Sequence, residues 1–121
     1  MKFKKGNDII ETSRIQKLCD IYKDKFKKRV FTENEIKYCE SKGKNKYQSY
    51  AARFCAKEAV FKAISDGLSN KYEIKWTDIE ILNNKNGKPI VKINLNYIKD
   101  IDISISHVKE YAMATVIAEY K

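Results

Sequence analysis

Residues 47–66, YQSYAARFCAKEAVFKAISD, constrain this chain more than any other stretch. They predict one long helix that ends at Gly67. On that helix Ala51, Phe54, Cys55, Glu58, Phe61 and Ile64 or Ser65 follow the i, i+3, i+4, i+7 spacing of one face. A single acid, Glu58, sits in the middle of the apolar stripe. A carboxylate there must be desolvated unless something positive meets it. A metal ion, a lysine or a cationic ligand would serve, and Lys62, one turn on, is placed to contribute.

The rest of the chain reads as elements arranged around that helix. Residues 3–12 predict a strand interrupted at Gly6-Asn7-Asp8. Ser13 predicts a cap for a helix over 14–26, with Ile15, Leu18, Cys19 and Tyr22 on one face. Thr32 and Glu35 form a capping box ahead of a short helix to about residue 41. The second half predicts strands over 76–82, 90–95, 101–108 and 111–120, with turn chemistry at 83–89. A strand, three helices and four strands make an α+β fold with a long central helix packed on a small, largely antiparallel sheet. At 121 residues with 43% hydrophobic content, one domain over residues 1–121 is expected.

Charge and cysteine usage narrow the function classes. The net charge of +9 favours acidic partners such as nucleic acid, phosphorylated cofactors or an acidic protein. Cys19, Cys39 and Cys55 are odd in number and widely spaced, which argues for reduced thiols in the cytoplasm rather than a disulfide frame or zinc site. No apolar run approaches the ~20 residues that span a bilayer, and the first ten residues do not read as a secretory signal. No phosphate-binding glycine loop and no nucleophile–histidine spacing is present.

Two acids stand out by position, Asp8 and Glu58. Carboxylates from separate elements can hold magnesium, which takes oxygen ligands and keeps waters for phosphate oxygens. The plainer readings are a turn residue for Asp8 and a buried pair of Glu58 with Arg53, Lys57 or Lys62. Those three cations read either as a phosphate-binding strip or as a solvated helix face. His107, the one histidine, follows Ser104-Ile105-Ser106 and by itself reads as a core or edge residue.

Three ordered stretches go further. Gly6-Asn7-Asp8-Ile9-Ile10-Glu11 with Arg14-Ile15 resembles the N-terminal motif of the holo-acyl-carrier-protein synthases. Residues 51–63, AARFCAKEAVFKA, resemble that family's central helix, and Ser104-Ile105-Ser106-His107 is similar to its C-terminal strand. The resemblance implies the 4′-phosphopantetheinyl transferase fold. It also implies Mg²⁺-dependent transfer of phosphopantetheine from coenzyme A to a serine of apo-acyl-carrier protein, releasing adenosine 3′,5′-bisphosphate in fatty acid biosynthesis. By the same resemblance Asp8 and Glu58 hold the metal, and Lys62 contacts the phosphates at the reacting bond. Arg53, Lys57, Pro89 and His107 line the coenzyme A site, and Arg14 meets the carrier protein. A homotrimer with active sites at its subunit interfaces is implied as well.

The chemistry is coherent with those residues. Attack by a serine hydroxyl on a pyrophosphate builds charge on oxygen, so catalysis is chiefly positioning and electrostatic stabilisation. The serine needs a base, either Glu58 or a water held by the metal. Asn7 departs from the apolar residue usual between Gly6 and Asp8, and falls on the wet side of the strand or touches the metal's water shell. After Arg14 the region offers Lys17, Lys23, Lys25, Lys27 and Lys28 where the family often has arginines, giving charge without bidentate geometry. The competing reading is a basic nucleic-acid-binding module using Tyr97, Tyr111 and Tyr120 as stacking surfaces, which leaves Glu58 without a role.

Overall fold

A long helix lies almost wholly inside the protein, with strands laid across one side of it. The structure, a computed structural model, describes residues 2–121. The elements in chain order are β1 (Lys2–Glu11), α1 (Thr12–Tyr22), α2 (Asp24–Val30), α3 (Glu33–Glu40), α4 (Lys46–Ile64), β2 (Glu80–Asn83), β3 (Pro89–Lys92), β4 (Ile98–His107) and β5 (Tyr111–Tyr120). The α+β expectation holds, and among the described residues all strand pairing is antiparallel. The expected single sheet is in fact two. β5 lies between β1 and β4, while β2 and β3 form a separate hairpin.

Small residues let α4 sit close to the three-stranded sheet. Ala51, Ala52, Ala56, Ala59 and Ala63 of the helix are buried, as are Ala112, Ala114 and Ala118 of β5. Gly6 completes this contact from β1. A Cβ there would run into the Ala59 carbonyl oxygen and stand 2.9 Å from Lys62 Cβ. Gly6 therefore does not interrupt the strand. β1 pairs with β5 without a break, from Lys2 opposite Tyr120 to Glu11 opposite Tyr111. The period-2 alternation buries Gly6, Ile10, Ala112, Ala114 and Val116 against the helix side, and exposes Ile9, Tyr111, Met113 and Ile117 on the other face.

Helix boundaries depart from expectation where the backbone bends without glycine or proline. The helix expected over 14–26 breaks at Lys23, whose φ of 51° is a conformation that favours glycine. The break turns α2 inward, so that Phe26 packs on Phe31 and Phe54 and Val30 is buried. Ser13 is not the cap, since α1 already starts at Thr12. The capping box at α3 is present: Glu35 N–H donates to Thr32 Oγ1, and Thr32 N–H donates back to the Glu35 carboxylate at 2.8 Å. The first expected strand of the second half starts late, because Trp76–Asp78 is a 3₁₀ turn tied by Lys75 N–H to the Asp78 carboxylate. Tyr97 and Tyr120 donate their hydroxyls to the carbonyls of Ile64 and Ala63, which satisfies the end of α4.

Because the helix backbone occupies the space over Gly6, Gly6→Ala should overpack this contact. A loss of about 1–3 kcal/mol is expected, read as a lower denaturation midpoint with an unchanged m-value.

Candidate active site

α4 is buried on nearly every side, and the stripe carrying Glu58 is where it emerges. Tyr50, Ala51, Cys55, Ala56, Lys57, Ala59, Val60 and Ala63 are inaccessible, whereas Phe54, Glu58 and Phe61 are half-buried and Lys62 is exposed. Ala51, Cys55 and Ile64 of this stripe are core, whereas Phe61 beside Glu58 lines an opening. Phe61, Tyr72, Ile74 and Trp76 form the walls of a groove of about 690 Å³ beside Glu58. Lys28, Arg29, Lys71 and Lys75 add positive charge around it.

The close packing of β1 on α4 sets Asp8 beside Lys62. Lys62 Nζ lies 3.3 Å from Asp8 Oδ1 and donates to the Asn7 carbonyl at 2.7 Å. Asn7 itself points to the other face of the sheet, where its side-chain oxygen accepts from Thr115 Oγ1 at 2.7 Å. That places Asn7 on the wet side of the strand. Among the described residues Glu58 forms no ion pair and no side-chain hydrogen bond. Burial first, and then the charge of Asp8, raise its carboxyl above the ordinary range, while Lys62 and Arg14 pull it down. Behind the two acids the Cys55 thiol donates to the Ala112 carbonyl at 3.6 Å and is pushed up to about 12, by burial first and then by Asp8.

Two carboxylates near enough to repel one another, one of them without an ion-pair partner, suit a cation. No group of three or more His, Cys, Asp or Glu side chains joins among the described residues. An all-oxygen donor set this small fits a hard divalent ion that keeps its waters and takes phosphate oxygens, and does not fit a closed zinc site.

The remaining residues fall in three places. Lys57 is a correction, because it faces the interior and reaches no groove. It is fully buried, 2.6 Å from Glu35 Oε1, and also donates to the carbonyls of Val30 at 2.7 Å and Trp76 at 3.1 Å. All three ammonium hydrogens are then used. Arg53 is 5% exposed, stacked on Tyr38 and donating from Nη2 to Asn83 Oδ1. Asn83 stands opposite Pro89 in the β2–β3 hairpin, so Arg53 and Pro89 share one neighbourhood. His107 ends β4, with Nδ1 3.2 Å from Gln48 Oε1. Gln48 and Glu58 are separated by about 15 Å of rise along α4. One chain therefore gathers Asp8, Glu58 and Lys62 with Arg14 nearby, and holds His107 apart, next to a second groove with Lys44 and Lys109.

The aromatic groove wall is what sequence reasoning missed. Its one sequence signal is the single tryptophan, which reads as the start of a strand but stands in a 3₁₀ turn. The nucleic-acid reading loses two of its three aromatics, since Tyr97 and Tyr120 are half-buried and bonded to the end of α4. No helix among the described residues is long and apolar enough to cross a membrane.

Known proteins resemble the chain over almost its whole length. The family model of the 4′-phosphopantetheinyl transferase superfamily matches residues 5–116. A holo-[acyl-carrier-protein] synthase of Chloroherpeton thalassium is 45% identical over 94% of this chain and 95% of that protein. A Bacillus anthracis holo-(acyl-carrier-protein) synthase, solved in complex with CoA (3′,5′-ADP), superposes with a TM-score of 0.83 at 39% identity, covering 98% of this chain and 96% of that one. The Helicobacter pylori holo-[acyl-carrier-protein] synthase in complex with coenzyme A gives 0.82 at 30% identity, covering 95% and 99%. By its paired acids, its encased helix and these matches, the chain belongs to the 4′-phosphopantetheinyl transferase superfamily.

Proposed function

We propose that this chain is a holo-[acyl-carrier-protein] synthase, moving 4′-phosphopantetheine from coenzyme A to a serine of apo-acyl-carrier protein and releasing adenosine 3′,5′-bisphosphate, as a step of fatty acid biosynthesis in the cytoplasm. The observation that carries this reading is Glu58, unpaired and half-buried beside Asp8 and Lys62, in a chain matching synthases solved with coenzyme A. Asp8 and Glu58 would hold Mg²⁺, which when bound supplies positive charge to the pyrophosphate oxygens. The serine oxygen forms a bond to the phosphorus bearing pantetheine as that phosphorus releases the bisphosphate oxygen. Lys62 is close enough to Asp8 to share in neutralising that charge. The serine hydroxyl gives its proton to a base, either Glu58 or a water that the metal would hold. Phe61 and Trp76 line the groove beside Glu58 and limit water there.

The separation of His107 from Glu58 supports a site shared between chains, and a homotrimer is the assembly proposed. His107 and the Arg53–Pro89 neighbourhood of one subunit would then take the nucleotide end of coenzyme A, whose phosphates meet Glu58 of another. Arg14 lies on the exposed side of α1, within range of Glu58, and is proposed to meet the acidic carrier protein.

Glu58→Gln and Asp8→Asn should each lower transfer by roughly 10²–10³-fold while the protein stays folded, as followed by intact mass of the carrier protein. Near-wild-type turnover at saturating Mg²⁺ would show the site to be misassigned. The same Glu58→Gln change carries a pH signature. A carboxyl that binds its proton more tightly when folded favours folding at low pH, and this contribution is lost as pH rises from the ordinary range through the raised value. Glu58→Gln should therefore raise the thermal midpoint of the ligand-free protein at pH 7, and the gain should vanish below about pH 4.

Mixing tests the shared site. Glu58→Gln and His107→Ala proteins should be weak alone and recover activity when co-refolded, because mixed assemblies rebuild some complete sites. No recovery despite demonstrated subunit exchange would place the whole site within one chain.

A further inference from the structure

Lys57 precedes Glu58 in sequence yet points the other way, into a node that ties five segments together. Its ammonium meets Glu35 at the start of α3, the Val30 carbonyl at the end of α2 and the Trp76 carbonyl in the 3₁₀ turn. Glu35 in turn accepts from Thr32 N–H and from Ile81 N–H of β2, both at 2.8 Å. Both charged side chains are inaccessible. A buried ion pair is a poor device for stability alone, since apolar residues of similar volume often serve as well or better. What this pair supplies is direction, because each donor and acceptor has one partner geometry.

The part so directed is the groove wall. Residues 68–75 carry neither helix nor strand, so the stretch reaching Trp76 is held by few backbone bonds. At Trp76 the carbonyl is held by Lys57, and the ring stacks on Phe54 and meets Phe61 edge-on, each with centroids 5.1 Å apart. Phe54 and Phe61 flank Glu58 on the open stripe of α4. Lys57 thus fixes, from beneath, the wall that faces the catalytic carboxylate from the side.

We propose that the buried Lys57–Glu35 pair is a positioning device that sets the Trp76 wall of the donor groove against Glu58, so that phosphopantetheine transfer depends on the pair beyond what the pair adds to stability. The proposal rests on the transferase function argued above. Lys57 and Glu35 are positioning residues, and neither touches substrate.

The test separates position from stability. Lys57→Met combined with Glu35→Gln removes both charges and keeps one of the two acceptor oxygens, enough for either the Thr32 or the Ile81 amide. Trp76 is the only tryptophan, so its emission reports the wall directly. The double variant should still unfold cooperatively, at a lower midpoint that leaves it folded at the assay temperature. Its tryptophan emission should be red-shifted and more readily quenched by acrylamide, and kcat/KM for coenzyme A should fall by about 10–100-fold. A folded double variant with wild-type emission, or with wild-type kcat/KM, overturns the proposal. If the double variant does not fold, Glu35→Gln alone, which weakens the pair and keeps one acceptor oxygen, is judged by the same two readings. Wild-type protein that transfers nothing would instead overturn the function, and the emission readings would still report whether the pair holds the wall.

Discussion

The close approach of α4 to β1 and β5 is the constraint from which the site follows. It exists because alanines of the helix meet alanines of β5 and because Gly6 has no side chain to hold the helix off. The same proximity puts the Asn7 carbonyl and the Asp8 carboxylate within reach of Lys62. A larger residue at position 6 would move the helix away from the strand, and the acids and the lysine would separate with it. Packing and chemistry are here one set of contacts.

Encasing the helix also explains how a charged residue can stand next to its core. Four charged residues fall within ten positions of α4, and each is handled differently. Arg53 stacks on Tyr38 and binds Asn83, Lys57 is paired inside, and Lys62 leans over Asp8. Glu58 alone is left without a partner, half-desolvated and pushed toward protonation by Asp8. An unrelieved carboxylate of this kind is a standing cost to the folded state, and a bound cation would remove it. Function is then written into what the fold leaves unsatisfied.

Much of this was legible in sequence, for identifiable reasons. The run over residues 47–66 that Gly67 follows, the Thr32–Glu35 capping box and the alternation over residues 111–120 are local patterns, and the elements formed where those patterns lie, although α4 is buried on nearly every side rather than on one face. Asp8, Glu58 and Lys62 were readable as a group through the ordered motifs. What was not legible depended on partners distant in the chain. The break at Lys23 is driven by packing of Phe26 on Phe31 and Phe54, with no local breaker to announce it. Lys57 looked like part of a phosphate strip because its buried partner, Glu35, already served a recognisable local role as a cap. The part of the stripe around Glu58 looked like a core face, since a groove lined by Phe61, Ile74 and Trp76 has the composition of an interior.

Two unfinished surfaces point the same way. The outer face of the three-stranded sheet carries exposed Ile9, Tyr111, Met113 and Ile117, more apolar area than a solvated sheet face needs. His107, at the rim of that sheet and bonded to Gln48, stands some distance from the acids it is proposed to work with. A chain whose sheet is covered by a second copy would bury those apolar residues. The same contact would give His107 and the lysines beside it access to a neighbour's Glu58. The hydrophobic gain and the completed site would then come from one interface, so assembly and activity should rise together with protein concentration, because the apolar residues that drive the one border the histidine needed for the other.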